Sequence, residues 1–133
     1  MGLTVDTSVL IDLLAGDRKA ASAIETLERK GLTPVLSTVS VFEVLSGVDY
    51  TRSRVERDRL ETLLKRIPIE AFDLESARRS AEFRSELLRA GRPQSAPDVM
   101  IAGHALAAGH TLMTRDKGLT AAGTSLGLRV STY

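Results

Sequence analysis

The chain is expected to fold as an α/β protein, a three-layer α/β/α sandwich around a four- to five-stranded parallel sheet. Short apolar segments alternate with segments of helical periodicity along its whole length. That order gives parallel pairing through right-handed crossovers. The short segments also lack polar alternation, as strands do when helices cover both of their faces. Finally, 133 residues, 43% hydrophobic and 26% charged, suit one globular domain spanning 1–133. Aromatic residues make up only 4%, so Leu, Val, Ile and Ala must build the core.

Taken in order, LTVD (3–6) reads as a short buried strand, and residues 8–15 and 18–30 as helices. In the second of these, Ala20, Ala23, Ile24 and Leu27 recur at helical spacing, and Gly31 ends it. TPVLST (33–38) is a strand led in by Pro34. A helix begins near Ser40 and ends near Asp49, and a charged amphipathic helix over 52–66 is closed by Pro68. These two helices exceed a minimal crossover, and such an excursion often carries a partner surface. IEAFDL (69–74) alternates like a strand. Residues 75–90 form an Arg- and Glu-rich helix ended by Gly91 and Pro93, and 96–108 an apolar one. TLMT (111–114) and LRVST (128–132) complete the sheet.

Several function classes are excluded. With no cysteine there is no disulfide, thiolate nucleophile or Cys-bound zinc, which fits a reducing, cytoplasmic setting. The N-terminal apolar run lacks a basic n-region and carries Asp6 and Asp12, unlike a secretory signal. No stretch approaches the ~18 uncharged residues of a membrane span, so no membrane partner is expected. A net charge of +1 neither requires nor excludes nucleic acid. Fourteen of the 18 basic residues are Arg, which mildly favours phosphate recognition. A high-GC genome gives the same bias.

Open parallel sheets bind ligands beyond the carboxyl ends of their strands, near the point where strand order reverses. Asp6 closes the first strand. Glu43 lies in the first turn of the helix after the second. Asp98 opens the apolar helix, and Asp116 follows TLMT directly. Thr7, Ser8 and Thr114 lie beside them. Taken singly, each acid reads more readily as a helix cap. Ser40-x-x-Glu43 and Ser95-x-x-Asp98 fit the capping box, and Asp6 and Asp116 could cap the helices after them. If the first strand is central, flanked by the second and fourth, the four acids instead converge at one edge. Four carboxylates crowded together repel unless cations neutralise them. An oxygen-only ligand set suits Mg²⁺ or Mn²⁺, which can present a water to a phosphodiester.

On these residues the chain resembles the PIN domain family, and within it the VapC toxin ribonucleases of prokaryotic toxin–antitoxin pairs. The resemblance spans nearly the whole chain. It rests on DTSVL with Asp6, EVLSG with Glu43 and Gly47, the spacing from Gly91 to DVMIA with Asp98, Ile101 and Ala102, and LMTRD with Thr114 and Asp116. It implies that Asp6, Glu43, Asp98 and Asp116 form a metal-binding catalytic quartet, with Asp6 and Asp98 the most direct ligands and Thr114 near the fourth acid. It further implies endoribonuclease activity on structured RNA such as tRNA or rRNA, a homodimer, and an antitoxin that wraps the toxin. One departure is visible. Leu119 stands where the family often has Phe, which bears on packing and on no ligand.

Other readings are weaker. Nothing in the sequence makes His104, inside a helix, and His110, past its end, converge on one substrate, so a metal-free acid–base ribonuclease is disfavoured. Arg115 could contact a scissile phosphate, neutralise the acids or face solvent. Residues 51–66 carry six basic and three acidic side chains, by default a solvated face. Phe42, Val44 and Leu45 could be core or part of a groove for an antitoxin helix. No Asp-x-Asp of the haloacid dehalogenase type and no Gly-rich phosphate loop is present. The serious alternative is a catalytically idle PIN-fold module that binds only RNA or protein.

Overall fold

The computed structural model describes residues 1–133, the side chains of residues 121 and 122 excepted. In chain order the elements are β1 (Gly2–Val5), α1 (Thr7–Leu14), α2 (Arg18–Arg29), β2 (Thr33–Ser37), α3 (Thr38–Thr51), α4 (Arg54–Arg66), β3 (Ile69–Glu70), α5 (Leu74–Arg89), α6 (Ala96–Ala108), β4 (Thr111–Met113), α7 (Lys117–Ser125) and β5 (Arg129–Ser131). The five strands pair in parallel in the order β3-β2-β1-β4-β5. The first strand is therefore central, between the second and fourth, as the convergence of the acids requires.

Alternate residues of β4 feed two cores, and β1 feeds one of them. Leu3, Val5 and Met113 join Val9, Leu10, Ile24, Leu36, Val44, Val48 and Leu60 on the side of α1–α4. On the other side Leu112 joins Phe83, Leu87, Val99, Ile101, Ala102 and Ala105 from α5 and α6, with Leu119 of α7. The helices cover both faces of the sheet, which accounts for strands without polar alternation.

Two boundaries depart from the sequence reading. The strand expected over 69–74 pairs only through Ile69 and Glu70. Beyond them the Phe72 N–H donates to the Thr38 hydroxyl at 3.1 Å instead of to a strand, and Phe72 packs on the second core. Its alternation reflects burial without pairing. Helix α3 starts at Thr38, not near Ser40, because the Ser37 hydroxyl accepts the Val39 N–H and caps it. Ser40 thus lies inside the helix, fully buried, and the Ser40–Glu43 capping box does not form.

Candidate functional site

Strand order runs one way from β1 to β2 and β3 and the other way to β4 and β5. The reversal leaves a crevice at the carboxyl ends of β1 and β4, the usual ligand position in such sheets. Asp6 and Thr114 stand at those two ends. The Asp6 N–H donates to the Met113 carbonyl at 3.1 Å, which ties the ends together.

Asp6 is only 6% exposed. It is extended in backbone and caps α1, its Oδ1 accepting the Val9 N–H at 3.2 Å and the Ser8 hydroxyl at 2.7 Å. The cap reading of Asp6 is thus correct as far as it goes, and the second oxygen is left for other work. Next to it the Thr7 hydroxyl donates to Glu43 Oε1. That bond joins α1 to α3 and brings Glu43 beside the end of β1.

The other two acids belong to α6 and α7. Asp98 lies in the first turn of α6, where its N–H donates to the capping Ser95 hydroxyl at 3.3 Å. Asp116 caps α7, accepting the Gly118 N–H at 2.8 Å. Its own N–H donates to the fully buried Thr114 hydroxyl at 3.0 Å, and the Thr114 N–H donates to Ser131 O of β5. A methyl placed on Gly118 would lie 3.0 Å from Asp116 Oδ1 and 3.4 Å from Gln94 Nε2. The approach to α6 therefore abuts the start of α7, and a side chain at 118 would crowd both.

Arg115 is half-exposed, its Nε 3.1 Å from Asp12 Oδ2. The same Asp12 oxygen accepts the Tyr133 hydroxyl. Burial, and then the bond to Asp12, raise the Tyr133 pKa above its ordinary value. Asp12, Gln94 and Tyr133 were not among the residues expected at this edge. Asp12 is legible in hindsight as the one charged residue of α1, six residues after Asp6.

The four acids are not drawn into mutual contact. The group among the described residues whose ligand atoms all lie within 4.8 Å of one another is a different one, Glu70, His104 and His110. The sequence offers no reason for the two histidines to meet, and the fold brings them together. Their ring centroids are 6.0 Å apart, and His104 is 3% exposed. Gly109, left-handed at φ 70°, ends α6 and turns the chain so that His110 folds back beside it. Burial lowers the His110 pKa, opposed by the Glu70 carboxylate. At the N-cap of the preceding helix α5, Asp73 is held below the usual carboxylate range by the Ser76 N–H and hydroxyl.

Fold and acidic edge together define a class: an α/β/α protein with carboxylates at the switch point of a parallel sheet. Residues 3–124 match the model of the PIN domain family. Over 114 residues the chain is 30% identical to the tRNA(fMet)-specific endonuclease VapC of Shigella flexneri, with 84% of each chain covered. In fold it is similar to VapBC2 of Rickettsia felis bound to a promoter DNA fragment, with a TM-score of 0.85 at 23% identity over 100% of this chain and 99% of that one. It is likewise similar to the DNA-bound VapBC of Salmonella typhimurium, with a TM-score of 0.81 at 22% identity over 99% and 98%. The chain belongs to the PIN domain family and is of the VapC type.

Proposed function

We propose that this VapC-type chain is a metal-dependent endoribonuclease, the toxin of a type II toxin–antitoxin pair, hydrolysing phosphodiester bonds in structured RNA such as tRNA or rRNA. The observation that supports the reading is Asp6 at the carboxyl end of central strand β1, with Glu43 tied in beside it by Thr7; Asp116 beyond the end of β4 and Asp98 in the first turn of α6 complete the proposed set. The donor set there is carboxylate and hydroxyl oxygen, which fits Mg²⁺ or Mn²⁺. The spread of the acids fits as well, because Mg²⁺ keeps several waters and takes only one or two protein carboxylates directly. Asp6 and Asp98 would hold it most directly, with Asp116 and Glu43 acting through water. When bound, such an ion neutralises charge developing on the phosphate and makes a bound water more acidic.

The chain's own residues then position this chemistry. Ser8 and the Val9 N–H fix Asp6, Thr7 orients Glu43, and Thr114 holds the turn that presents Asp116. Arg115, anchored through Nε on Asp12, is placed to meet an RNA phosphate. A water adds to phosphorus, the P–O bond to the leaving nucleoside breaks, and the departing oxygen takes a proton.

An apolar groove beside Glu43, lined by Ile11, Leu14, Val44 and Val48, suits an amphipathic segment of an antitoxin. Among the described residues no helix is long and apolar enough to cross a membrane, in keeping with action in the cytoplasm. The test is cleavage of a mixed tRNA and rRNA substrate by chain freed of antitoxin. Cutting is expected with Mg²⁺ or Mn²⁺ and is lost with EDTA. Cleavage indifferent to EDTA would sink the metal-dependent reading, and binding without cleavage in either metal would support the idle module.

A further inference from the structure

Beneath α6, away from the acidic edge, lies a second cluster of ligating side chains. Glu70 Oε1 of edge strand β3 is 3.0 Å from His104 Nε2 and 3.6 Å from His110 Nδ1. The Thr4 hydroxyl of central strand β1 hydrogen-bonds the same His110 nitrogen at 2.9 Å, so a cation ligated there would displace that bond and leave the hydroxyl to turn away. His104 follows Asp98 by six residues, which puts it about 9 Å further along the helix.

The hydrogen bonds around His104 fix which nitrogen is free. The Ser76 hydroxyl has one proton, and it goes to Asp73 Oδ1 at 2.8 Å. His104 Nδ1, 3.3 Å from that hydroxyl oxygen, must therefore be the donor of its bond, carrying a hydrogen. Nε2 of the neutral ring is then a bare lone pair pointing at a carboxylate oxygen 3.0 Å away. Two lone pairs so placed, on a ring 3% exposed, require a cation between them, either a proton or a metal ion.

The spacing also admits a metal, all three ligand atoms lying within 4.8 Å of one another. Tetrahedral coordination with bonds of about 2.1 Å sets ligand atoms roughly 3.4 Å apart, and the two distances to Glu70 bracket that value. Two imidazoles and one carboxylate form a borderline donor set suited to Zn²⁺ over Mg²⁺. The Ser76–Asp73 pair supplies the outer hydrogen bond that ligating histidines usually have.

We propose that Glu70, His104 and His110 bind one divalent cation of the Zn²⁺ class, tying edge strand β3 to α6 and to the start of β4. Strand β3 has only two paired residues, so a tie at Glu70 supplies holding that its ladder does not. The site is separate from the acidic edge in place and in donor chemistry, and it stands whether or not the nuclease reading does.

The chain has two histidines, so their ring resonances report on this cluster alone. The full-length chain, stripped with a chelator, is titrated with Zn²⁺ while imidazole ¹⁵N shifts are followed by NMR. Both rings are expected to change together, saturating at one Zn²⁺ per chain, through Nε2 of His104 and Nδ1 of His110. Glu70→Gln keeps the shape and is expected to weaken Zn²⁺ binding about tenfold or more. Asp98→Asn, at the acidic edge, is expected to leave the histidine response unchanged. If Zn²⁺ leaves either ring unmoved, the cation between His104 and Glu70 is a proton and the proposal fails. It also fails if Glu70→Gln binds Zn²⁺ as tightly, or if Asp98→Asn abolishes the response. Should Glu70→Gln not fold, the titration of the unaltered chain decides alone.

Discussion

At the scale of single residues, the acids at the strand ends were legible in the sequence because a carboxylate that follows a buried strand has few places to go. Two roles coexist at Asp6, cap and proposed ligand, and one substitution separates them. Asn caps a helix about as well as Asp, and its amide oxygen can still accept from Val9 and Ser8. Asp6→Asn is therefore expected to leave the free energy of unfolding within about 0.5 kcal/mol. RNA cleavage, in contrast, is expected to fall by about a hundredfold or more, since a direct metal ligand is worth at least as much as the outer partners that support it. Retained cleavage with a weakened fold would reduce Asp6 to a cap. The histidine cluster was hidden, because its three members come together only through the strand order and the Gly109 turn. The signal that could have exposed it is His104 itself. An imidazole in the middle of VMIAGHALAA is buried with its helix face, and a buried polar ring needs partners.

Tyr133 gives a pH dependence at the same scale. Its pKa is raised in the folded chain above an ordinary value near 10, by burial first and by the Asp12 bond second. A raised pKa means that the folded state holds the phenolic proton more tightly than the unfolded one. The contribution is complete below pH 10 and is lost as pH rises through the folded-state value. Urea midpoints measured from pH 8 upward should therefore fall more steeply above pH 10 for the unaltered chain than for Tyr133→Phe. Parallel curves would mean that the hydroxyl is free to ionise in the folded state.

Among elements, the pair α5 and α6 is the most closely packed, and Gly103 is the reason. A methyl group at that position would sit 1.9 Å from Ser80 Oγ and 2.6 Å from both the Ser80 Cα and its N. The hydroxyl could rotate away, but the backbone could not without separating the helices. Replacing a mid-helix Gly by Ala ordinarily gains about 1 kcal/mol of helix propensity. Overpacking at a tight contact costs about 1–3 kcal/mol and more when backbone must shift. The clash is expected to win, and Gly103→Ala should lower stability by about 2 kcal/mol in chemical denaturation; a gain would show that the helices can part freely. Periodicity alone does not reveal such a contact. Helices α2, α4, α5 and α6 were read to within two residues because caps and glycines mark their ends. Strand β3 was overextended because Phe72 keeps the alternating pattern after pairing has stopped. Periodicity reports which face is buried, whereas pairing depends on a neighbour that lies elsewhere in the chain.

For the whole molecule, the strand order was legible only as a condition: if β1 is central, the acids converge. The sheet puts β1 at the centre, yet the four acids stay short of mutual contact, because Asp6, Glu43 and Asp116 are each held by a helix start or hydroxyl partner. The excursion between β2 and β3 carries three of the exposed large apolar side chains, while Ile11 on α1 and Leu74 and Leu88 on α5 are exposed as well. Phe42 and Tyr50 on α3 and Val55 on α4 are 67%, 89% and 61% exposed, although 52–66 also carries the densest charge of the chain. Contiguous exposed apolar patches mark contact surfaces, and Tyr50 and Val55, on either side of the α3–α4 turn, are the test of one here. The prediction at this scale is that the chain self-associates through the exposed side of this hairpin. Light scattering at tens of micromolar is expected to give twice the chain mass. Replacing Tyr50 and Val55 together by Glu places like charges against one another across a two-fold contact, where each patch meets its own copy. Truncation of central aromatic anchors alone commonly costs 2 kcal/mol or more, so the double variant is expected to weaken association by about thirtyfold or more. Because neither residue lies at the crevice, cleavage by the monomeric variant should persist in a concentrated assay. A dimer that survives the double substitution would place the interface on another face, and a monomer in the unaltered chain would remove the self-association reading while leaving the acidic edge untouched.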